Sequence, residues 1–221
     1  MIAYHFISEE YALDVVSDQC LKLSLINDLN DPFELIASDL PTPDSRKEAI
    51  KFKNFMANDY GILCFSENWK NPLLWSHYAN KHRGVALKFS IMDEIALPVK
   101  YRQNRFKINF QEKRNSETPV TKNETEGLWL TKFISWSYEE EIRVICSQND
   151  CIKKGNLLFH PLNDEISLRG IILGPLCDIS ISEIEKKVPA GKKLEVIKSR
   201  LAFRSFNIVE QKQFKRIIIN R

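Results

Sequence analysis

The stretch WSYEEEIR, residues 136–143, constrains the fold and the chemistry of this sequence more than any other. In a β-strand, successive side chains alternate between two faces, so this stretch predicts one apolar face and one charged face. The apolar face contains Tyr138, Ile142 and Val144, and the charged face contains Glu139, Glu141 and Arg143.

The charged face of this predicted strand carries chemistry that folding does not require. Two carboxylates and a guanidinium on one face are costly to bury. A Glu-x-Glu pair held on a strand can stabilise a developing cation, polarise a sugar hydroxyl or accept a proton. The alternative interpretation is an exposed strand face on which glutamate and arginine pair loosely in solvent. The octapeptide alone leaves both interpretations open.

The composition is that of an ordinary globular protein. The chain has 221 residues, of which 43% are hydrophobic and 28% charged, and its net charge of +3 does not by itself indicate a nucleic-acid-binding protein. Basic residues cluster locally at 102–114 and near the C-terminus, at Lys212, Lys215, Arg216 and Arg221. Such clusters either face phosphate groups or form a solvated surface, and the sequence favours the solvated surface.

The sequence predicts a cytoplasmic protein without a membrane anchor. The N-terminus MIAYHFISEE carries acids where a signal peptide needs basic residues, and no apolar run reaches the roughly 18 residues of a membrane span. The five cysteines form no CxxC pair, which is typical of free thiols in a reducing compartment. No spacing of histidine and cysteine suggests a zinc site, and we expect no metal.

The hydrophobic pattern predicts an α+β protein of a single domain, residues 1–221. Short strands recur along the chain, with mixed short-stranded sheets and helices mainly in the N-terminal half. One helix is predicted to open at Pro72 and end near Arg83-Gly84, and another to span Leu128–Ile134 before the Glu-x-Glu strand. No glycine-rich phosphate loop is present, which argues against Rossmann and P-loop chemistry.

Three further groups of residues are candidates for a site. His5 lies in an otherwise apolar strand, where a histidine is most often satisfied by a backbone carbonyl. Trp75, Tyr78 and His82 share one face of the predicted helix, and a buried aromatic stripe with polar tips needs hydrogen-bond partners. The polar residues around the Pro32 turn are Asn27, Asn30, Asp31 and Glu34.

Several sequence blocks together resemble a bacterial family known as domain of unknown function 2971. The blocks occur in this order: NDLNDPFE (27–34), GILCFSE (61–67), NPLLWSHYANKHRGVALKF (71–89), WSYEEEIR (136–143) and IILGP (171–175). They span nearly the whole chain, and the block at 136–143 follows the pattern WxYExExR. This resemblance implies a family but no activity.

The opening YHFISEEYALDVVSDQCLKLSLIND is similar to the start of ADP-ribosyltransferase-like domains of the kind that modify DNA. This resemblance implies an ADP-ribosyltransferase-like fold and NAD as substrate. It implies that His5 binds NAD and belongs with Glu141 and Glu139 to the catalytic residues. It also implies that Ser66 in Cys64-Phe65-Ser66 supports NAD and that Glu141 is the catalytic glutamate. That fold has Ser-Thr-Ser where this chain has Cys-Phe-Ser.

The same resemblance gives roles to the remaining candidates. Glu139 would orient the acceptor nucleophile, Trp75 or Tyr78 would stack on nicotinamide, and Arg143 would help to bind the cofactor. A carboxylate near the ribose would stabilise the oxocarbenium-like centre, as carboxylates do in glycosidases. The function expected is thus an NAD-dependent ADP-ribosyltransferase or NAD glycohydrolase, in which a nucleotide-type small molecule reacts with water or with a protein or nucleic-acid acceptor.

Two alternatives stay open at the level of sequence. One is a non-catalytic module that binds a ligand or a protein through the same blocks. The other is a Mg²⁺-dependent nuclease or phosphoesterase that uses Asp31, Glu34, Glu139 and Glu141, with Arg143 on a phosphate. The biological setting suggested by the family is phage defence or a toxin system.

Overall fold

The computed structural model describes residues 1–108 and 122–221. The C-terminal part of the basic cluster at 102–114 lies outside these residues. The predicted α+β class is confirmed, because helices and strands both contribute extensively.

The helices are α1 Glu9–Asp18, α2 Pro43–Asp59, α3 Pro72–Tyr78, α4 Lys122–Trp129 and α5 Ile181–Lys187. The strands of the first half are β1 Ile2–Ile7, β2 Cys20–Lys22, β3 Ser24–Leu25, β4 Tyr60–Ser66, β5 Val85–Ile91, β6 Leu97–Pro98 and β7 Lys100–Arg102. Those of the second half are β8 Thr131–Phe133, β9 Glu141–Ser147, β10 Ile152–Lys154, β11 Leu157–Pro161, β12 Ile166–Leu173, β13 Lys193–Leu201, β14 Ile208–Glu210 and β15 Ile217–Asn220.

One large sheet organises the described part of the chain. Its strand order is β14-β13-β12-β5-β1-β4-β9-β6, with β15 added to β13 and β3 added to β4. Neighbouring strands are antiparallel except β12 and β13, which are parallel and connected through α5. A parallel pair needs such a crossover because its strands start at the same edge.

Helices cover both faces of the large sheet. On one face, Val15 and Val16 of α1 and Ile184 of α5 belong to the same buried cluster as Leu87 and Phe89 of β5. On the other face, Leu74 and Trp75 of α3 pack with Phe6 of β1, Ala86 of β5 and Ile172 of β12. A third cluster on this second face includes Ile26, Ile62 and Trp129, so the space between α3 and Trp129 lies over β1, β4 and β9.

Strands β1 and β4 separate next to this space. Their ladder contains one matched position, Tyr4 opposite Ser66. One residue further along β1, the side chain of His5 takes over the link, because its Nδ1 lies 2.8 Å from the carbonyl oxygen of Cys64. A carbonyl oxygen can only accept, so Nδ1 carries the proton and Nε2 is left as an acceptor.

The octapeptide 136–143 is not a continuous strand, which corrects the sequence prediction. Residues Ile134–Glu139 form a 3-10 helix, and β9 starts only at Glu141. Glu140 between them has φ 44° and ψ 51°, a left-handed conformation that cannot continue a strand. The predicted alternation therefore holds from Glu141 onwards, and Tyr138 and Glu139 are placed by the 3-10 helix instead.

Helix α3 starts as predicted but ends five residues early. Pro72 occupies the first turn, and the side chain of Asn71 accepts a hydrogen bond from the amide of Leu73. The helix stops at Tyr78, because the three residues Asn80, Lys81 and His82 have φ of 41°, 53° and 70°. His82 therefore does not share a helix face with Trp75 and Tyr78.

The region before the octapeptide differs as well. The predicted helix at 128–134 is in fact the end of α4, which stops at Trp129, followed by β8. Strand β8 pairs in parallel with β7, matching Tyr101 with Lys132 and Arg102 with Phe133. This short pair holds Lys132 beside the 3-10 helix that carries Glu139.

Candidate functional site

A cavity of about 270 Å³ opens where β1 and β4 separate; we call it the carboxylate cavity. Its polar lining includes three glutamates, Glu34, Glu139 and Glu141. Its apolar lining includes Phe6, Leu29, Phe65 and Leu74. A volume just under the usual range for drug-sized ligands suits an aromatic ring with a sugar better than a whole dinucleotide.

Five buried residues at this cavity form one connected set, the charge cluster: Glu34, Lys132, Glu139, Glu141 and Arg143. Arg143 is completely buried, and all five of its N–H donors are used. Nη1 and Nη2 donate to Glu34 at 2.8 and 2.6 Å, and Nε and Nη2 donate to Glu141 at 2.9 and 3.1 Å. Nη1 also donates to the carbonyl oxygen of Trp129 at 2.6 Å.

Lys132 connects the remaining carboxylate to the charge cluster. Its Nζ lies 2.6 Å from Oε2 of Glu139, 3.0 Å from Oε2 of Glu141 and 3.7 Å from Oε1 of Glu34. The other oxygen of Glu139 accepts a hydrogen bond of 2.5 Å from the hydroxyl of Tyr78. Lys132 is thus surrounded by three carboxylates, which is how a buried ammonium group is tolerated.

The charges of the cluster do not balance. With every group ionised, the three carboxylates of the cluster face its two cations, which leaves one net negative charge on the cluster, and the side chain of Asp28 also lines the cavity. Burial would lower the pKa of Lys132, but Glu141, Glu139 and Glu34 outweigh it and raise that pKa. Lys132 is therefore charged at neutral pH.

The two glutamates of the Glu-x-Glu pair have pKa values shifted in opposite directions. Burial raises the pKa of Glu139, and the charge and hydrogen bonds of Lys132 and Tyr78 offset only part of that rise. Burial acts in the same direction on Glu141, but the charges of Arg143 and Lys132 outweigh it and lower the pKa of Glu141. Divergent pKa values in one site are typical of paired acid–base residues.

Ser66 and Glu141 are cross-strand partners, and Ser66 also faces Tyr4, so the three lie in one row across β1, β4 and β9.

Burial lowers the pKa of His5, and its hydrogen bond to Cys64 only partly opposes this shift, so His5 is neutral at physiological pH. The hydroxyl of Tyr78 also accepts a hydrogen bond from Asn30 at 2.9 Å.

The structure brings together most of the site residues expected from the sequence. The cavity is lined by His5, Ser66, Tyr78, Glu139 and Glu141.

Two of the expected cofactor-binding residues are corrected. Trp75 is completely buried in the core, where its Nε1 donates to the carbonyl oxygen of Trp69 at 2.6 Å, so it does not stack on a ligand. Arg143 is also completely buried, so it orients Glu141 and Glu34 and does not contact a ligand or a phosphate.

Lys132 is the residue that the sequence analysis missed. It lies in the short segment Thr131-Lys132-Phe133, and nothing in that segment distinguishes a buried lysine from a solvated one. The sequence placed Glu34 at the Pro32 turn and, for the Mg²⁺-dependent alternative, among the metal ligands, whereas it is 1% exposed and forms a bidentate pair with Arg143.

The carboxylates of the charge cluster are arranged around cations of the protein itself. No group of three or more potential metal ligands is present within residues 1–108 and 122–221. The ammonium group of Lys132 occupies the point where Glu34, Glu139 and Glu141 converge, and this weakens the case for a Mg²⁺-dependent nuclease. None of the described helices has the length and apolar character needed to cross a membrane.

Comparison with known proteins gives one match. No curated protein and no solved structure matches this chain. Residues 74–144 match the family model described as protein of unknown function, DUF2971. The family resemblance expected from the sequence is therefore confirmed: through the segment that supplies Lys132, Glu139, Glu141 and Arg143, this chain matches the DUF2971 family.

Proposed function

We propose that this protein cleaves the nicotinamide–ribose bond of NAD and transfers ADP-ribose to water or to another acceptor. The observation that carries the proposal is the net negative charge of the charge cluster at a cavity sized for a ring and a sugar. Such a cavity complements both the cationic nicotinamide ring and the positive charge that develops on the ribose.

The reaction requires one bond to break and one to form. The C–N bond between ribose and nicotinamide breaks, and its electron pair leaves with the nicotinamide. The ribose is left as an oxocarbenium ion, which an oxygen or nitrogen of the acceptor attacks. The proton of that acceptor passes to a carboxylate and then to solvent. With water as acceptor, the products are nicotinamide, ADP-ribose and a proton.

The opposite pKa shifts assign roles to the two glutamates. Glu141, kept ionised by Arg143 and Lys132, stabilises the oxocarbenium ion and accepts a hydrogen bond from a ribose hydroxyl. Glu139, whose pKa is raised, is the general base that receives the acceptor proton. Lys132 and Arg143 are positioning residues in this scheme.

The other lining residues fit the binding of the nicotinamide riboside half. The unprotonated Nε2 of His5 can accept a hydrogen bond from a ribose hydroxyl, and Tyr78 offers an aromatic face beside Glu139. His5, Ser66 and Glu141 lie on β1, β4 and β9, which are adjacent in the sheet. This arrangement agrees with the roles implied by the resemblance to ADP-ribosyltransferase-like domains.

A non-catalytic binding pocket is the second candidate function. One observation favours it: both carboxylate oxygens of Glu141 already accept hydrogen bonds from Arg143. A carboxylate whose two oxygens are both held by one arginine can shape a rigid pocket without taking part in turnover.

The deciding experiment measures nicotinamide release from NAD by purified protein, with and without DNA, RNA and cell lysate. We expect release by the wild type and by Glu140→Gln, because Glu140 is exposed and its side chain accepts a hydrogen bond from Asn68 at the surface. We expect at least a roughly hundredfold loss in Glu141→Gln, the scale of losing a transition-state charge contact. Circular dichroism verifies that each variant is folded.

Glu139→Gln provides a second route in case Glu141→Gln does not fold. It should slow transfer while leaving the affinity for NAD nearly unchanged. If NAD binds to the wild type without any release of nicotinamide, the pocket is a binding site. If NAD neither binds nor reacts, the proposal is wrong.

A further inference from the structure

A second cavity, of about 350 Å³, lies on the other side of Lys132; we call it the arginine cavity. Among the described residues, Lys132 is the one that lines both cavities. Its ammonium group bonds to Glu139 on one side, and it lies 5.1 Å from the centre of the Trp136 ring on the other. The two cavities are therefore separated by the width of a side chain.

The lining of the arginine cavity combines cations with aromatic rings. The guanidinium of Arg105 lies 4.8 Å from the centre of the Phe33 ring, and Arg102 also lines the cavity. Phe33 and Phe133 are 50% and 44% exposed, although large apolar side chains are normally covered. Arginine stacked on an aromatic ring keeps its N–H edge available for an anion.

Among residues 1–108 and 122–221, the cations that line this cavity outnumber the anions. Arg102 and Arg105 form no ion pair with a carboxylate of residues 1–108 or 122–221. Among the described residues of the lining, Asp31 is the one with a carboxylate; it is 4% exposed and accepts a hydrogen bond from the amide of Phe33 at 2.9 Å. A bare phosphate would be repelled by Asp31, whereas a ribose hydroxyl or an exocyclic amine can donate to it.

We propose that the arginine cavity binds a nucleoside phosphate unit. In this proposal, Arg102 and Arg105 donate hydrogen bonds to the phosphate. The base stacks on the aromatic rings of Phe33, Phe133 and Trp136, and Asp31 accepts a hydrogen bond from the sugar or the base. This binding does not depend on the proposed NAD chemistry. Only the source of the nucleoside phosphate rests on that proposed function. One source is the adenylate half of NAD, which the carboxylate cavity is too small to hold. The other source is a nucleotide of a nucleic-acid acceptor.

Isothermal titration with AMP as the probe tests the binding directly. The double variant Arg102→Gln/Arg105→Gln should bind AMP at least roughly tenfold more weakly, the loss expected when charge-assisted hydrogen bonds to a phosphate are removed. Arg169→Gln is the matched control, because Arg169 is also an exposed arginine on a strand but lies outside this cavity. The control should bind AMP like the wild type.

The proposal is overturned if AMP does not bind at millimolar concentration, or if the double variant binds it as tightly as the control does. Glu141→Gln should bind AMP normally, so loss of NAD turnover and loss of AMP binding are separate results. Competition then identifies the source. Displacement of AMP by NAD assigns the cavity to the dinucleotide, and displacement by single-stranded DNA or RNA, with NAD still bound, assigns it to the acceptor.

Discussion

The guanidinium of Arg143 and the carboxylate of Glu34 form a bidentate pair, although 109 residues separate them in the chain. The pair joins β9, the strand that carries Glu141, to the turn that carries Asn30. Asn30 in turn donates a hydrogen bond to the hydroxyl of Tyr78. The charge cluster therefore fixes two walls of the carboxylate cavity relative to each other. A rigid cavity of this kind holds its polar groups in position before a ligand arrives.

Removing the guanidinium should strongly destabilise the fold. Arg143→Met leaves Glu34 and Glu141 buried without their main partner, and breaking a buried ion pair from one side costs about 3–5 kcal/mol. Urea denaturation gives the free energy of unfolding. Arg216→Met is the control, since its pair with Glu210 is half-exposed and such pairs contribute about 0–1 kcal/mol. Similar losses in both variants would show that the charge cluster does not stabilise the fold.

The hydroxyl of Tyr78 should tune the pKa of Glu139, the proposed general base. Its hydrogen bond to Glu139 favours the ionised carboxylate, so Tyr78→Phe should raise the pKa of Glu139 further. Because a general base acts when unprotonated, the rising acidic limb of the profile of kcat/KM against pH should move to higher pH. Tyr11→Phe, a change on the exposed side of α1, should leave the profile where it is. A limb that stays in place or moves down would exclude Glu139 as the base.

The raised pKa of Glu139 also makes a prediction about stability. Between the ordinary glutamate pKa and the raised one, the folded protein holds a proton that the unfolded chain has released. The free energy of unfolding should therefore fall as pH rises through this window, and Glu139→Gln should remove that fall. Urea titrations across the window, with Glu140→Gln as control, measure the slope. An unchanged slope in Glu139→Gln would mean that another group titrates there.

The lowered pKa of Glu141 acts in the opposite direction and at lower pH. Its contribution is present above the ordinary glutamate pKa and is lost as pH falls through the lowered folded value. In the same titrations, Glu141→Gln should therefore be less stable than the wild type at neutral pH, with the difference narrowing in acid. A constant difference at all pH values would point to packing as the cause.

Gly84 should be intolerant of a side chain. A Cβ at this position would lie 2.2 Å from the carbonyl oxygen of Ile7, where β5 and β1 meet behind α3. Gly84→Ala should cost about 3 kcal/mol, at the upper end of overpacking. Gly155→Ala, with open space but φ of 61°, should cost about 1 kcal/mol. Thermal unfolding of the two variants gives the comparison, and equal melting temperatures would contradict the steric argument.

The sequence by itself determined the α+β class, the resemblance to DUF2971, which the family model matches over 74–144, and the strand from Glu141 onwards. These features follow from local patterns: the alternation Glu141-Ile142-Arg143-Val144 specifies a strand, and Asn71-Pro72 specifies a helix start. The sequence also selected His5, Tyr78 and the Glu-x-Glu pair, because polar groups in apolar segments need partners.

Only the tertiary structure decided which of these groups line the carboxylate cavity. Trp75 and Arg143 lie in the interior, and Lys132, which no local pattern distinguished, is the centre of the charge cluster. Burial and ion pairing depend on residues far apart in the chain, such as Glu34 and Arg143. The left-handed turn at Glu140 could not be predicted from the sequence either, because a glutamate rarely adopts φ of 44° unless the surrounding contacts hold it there.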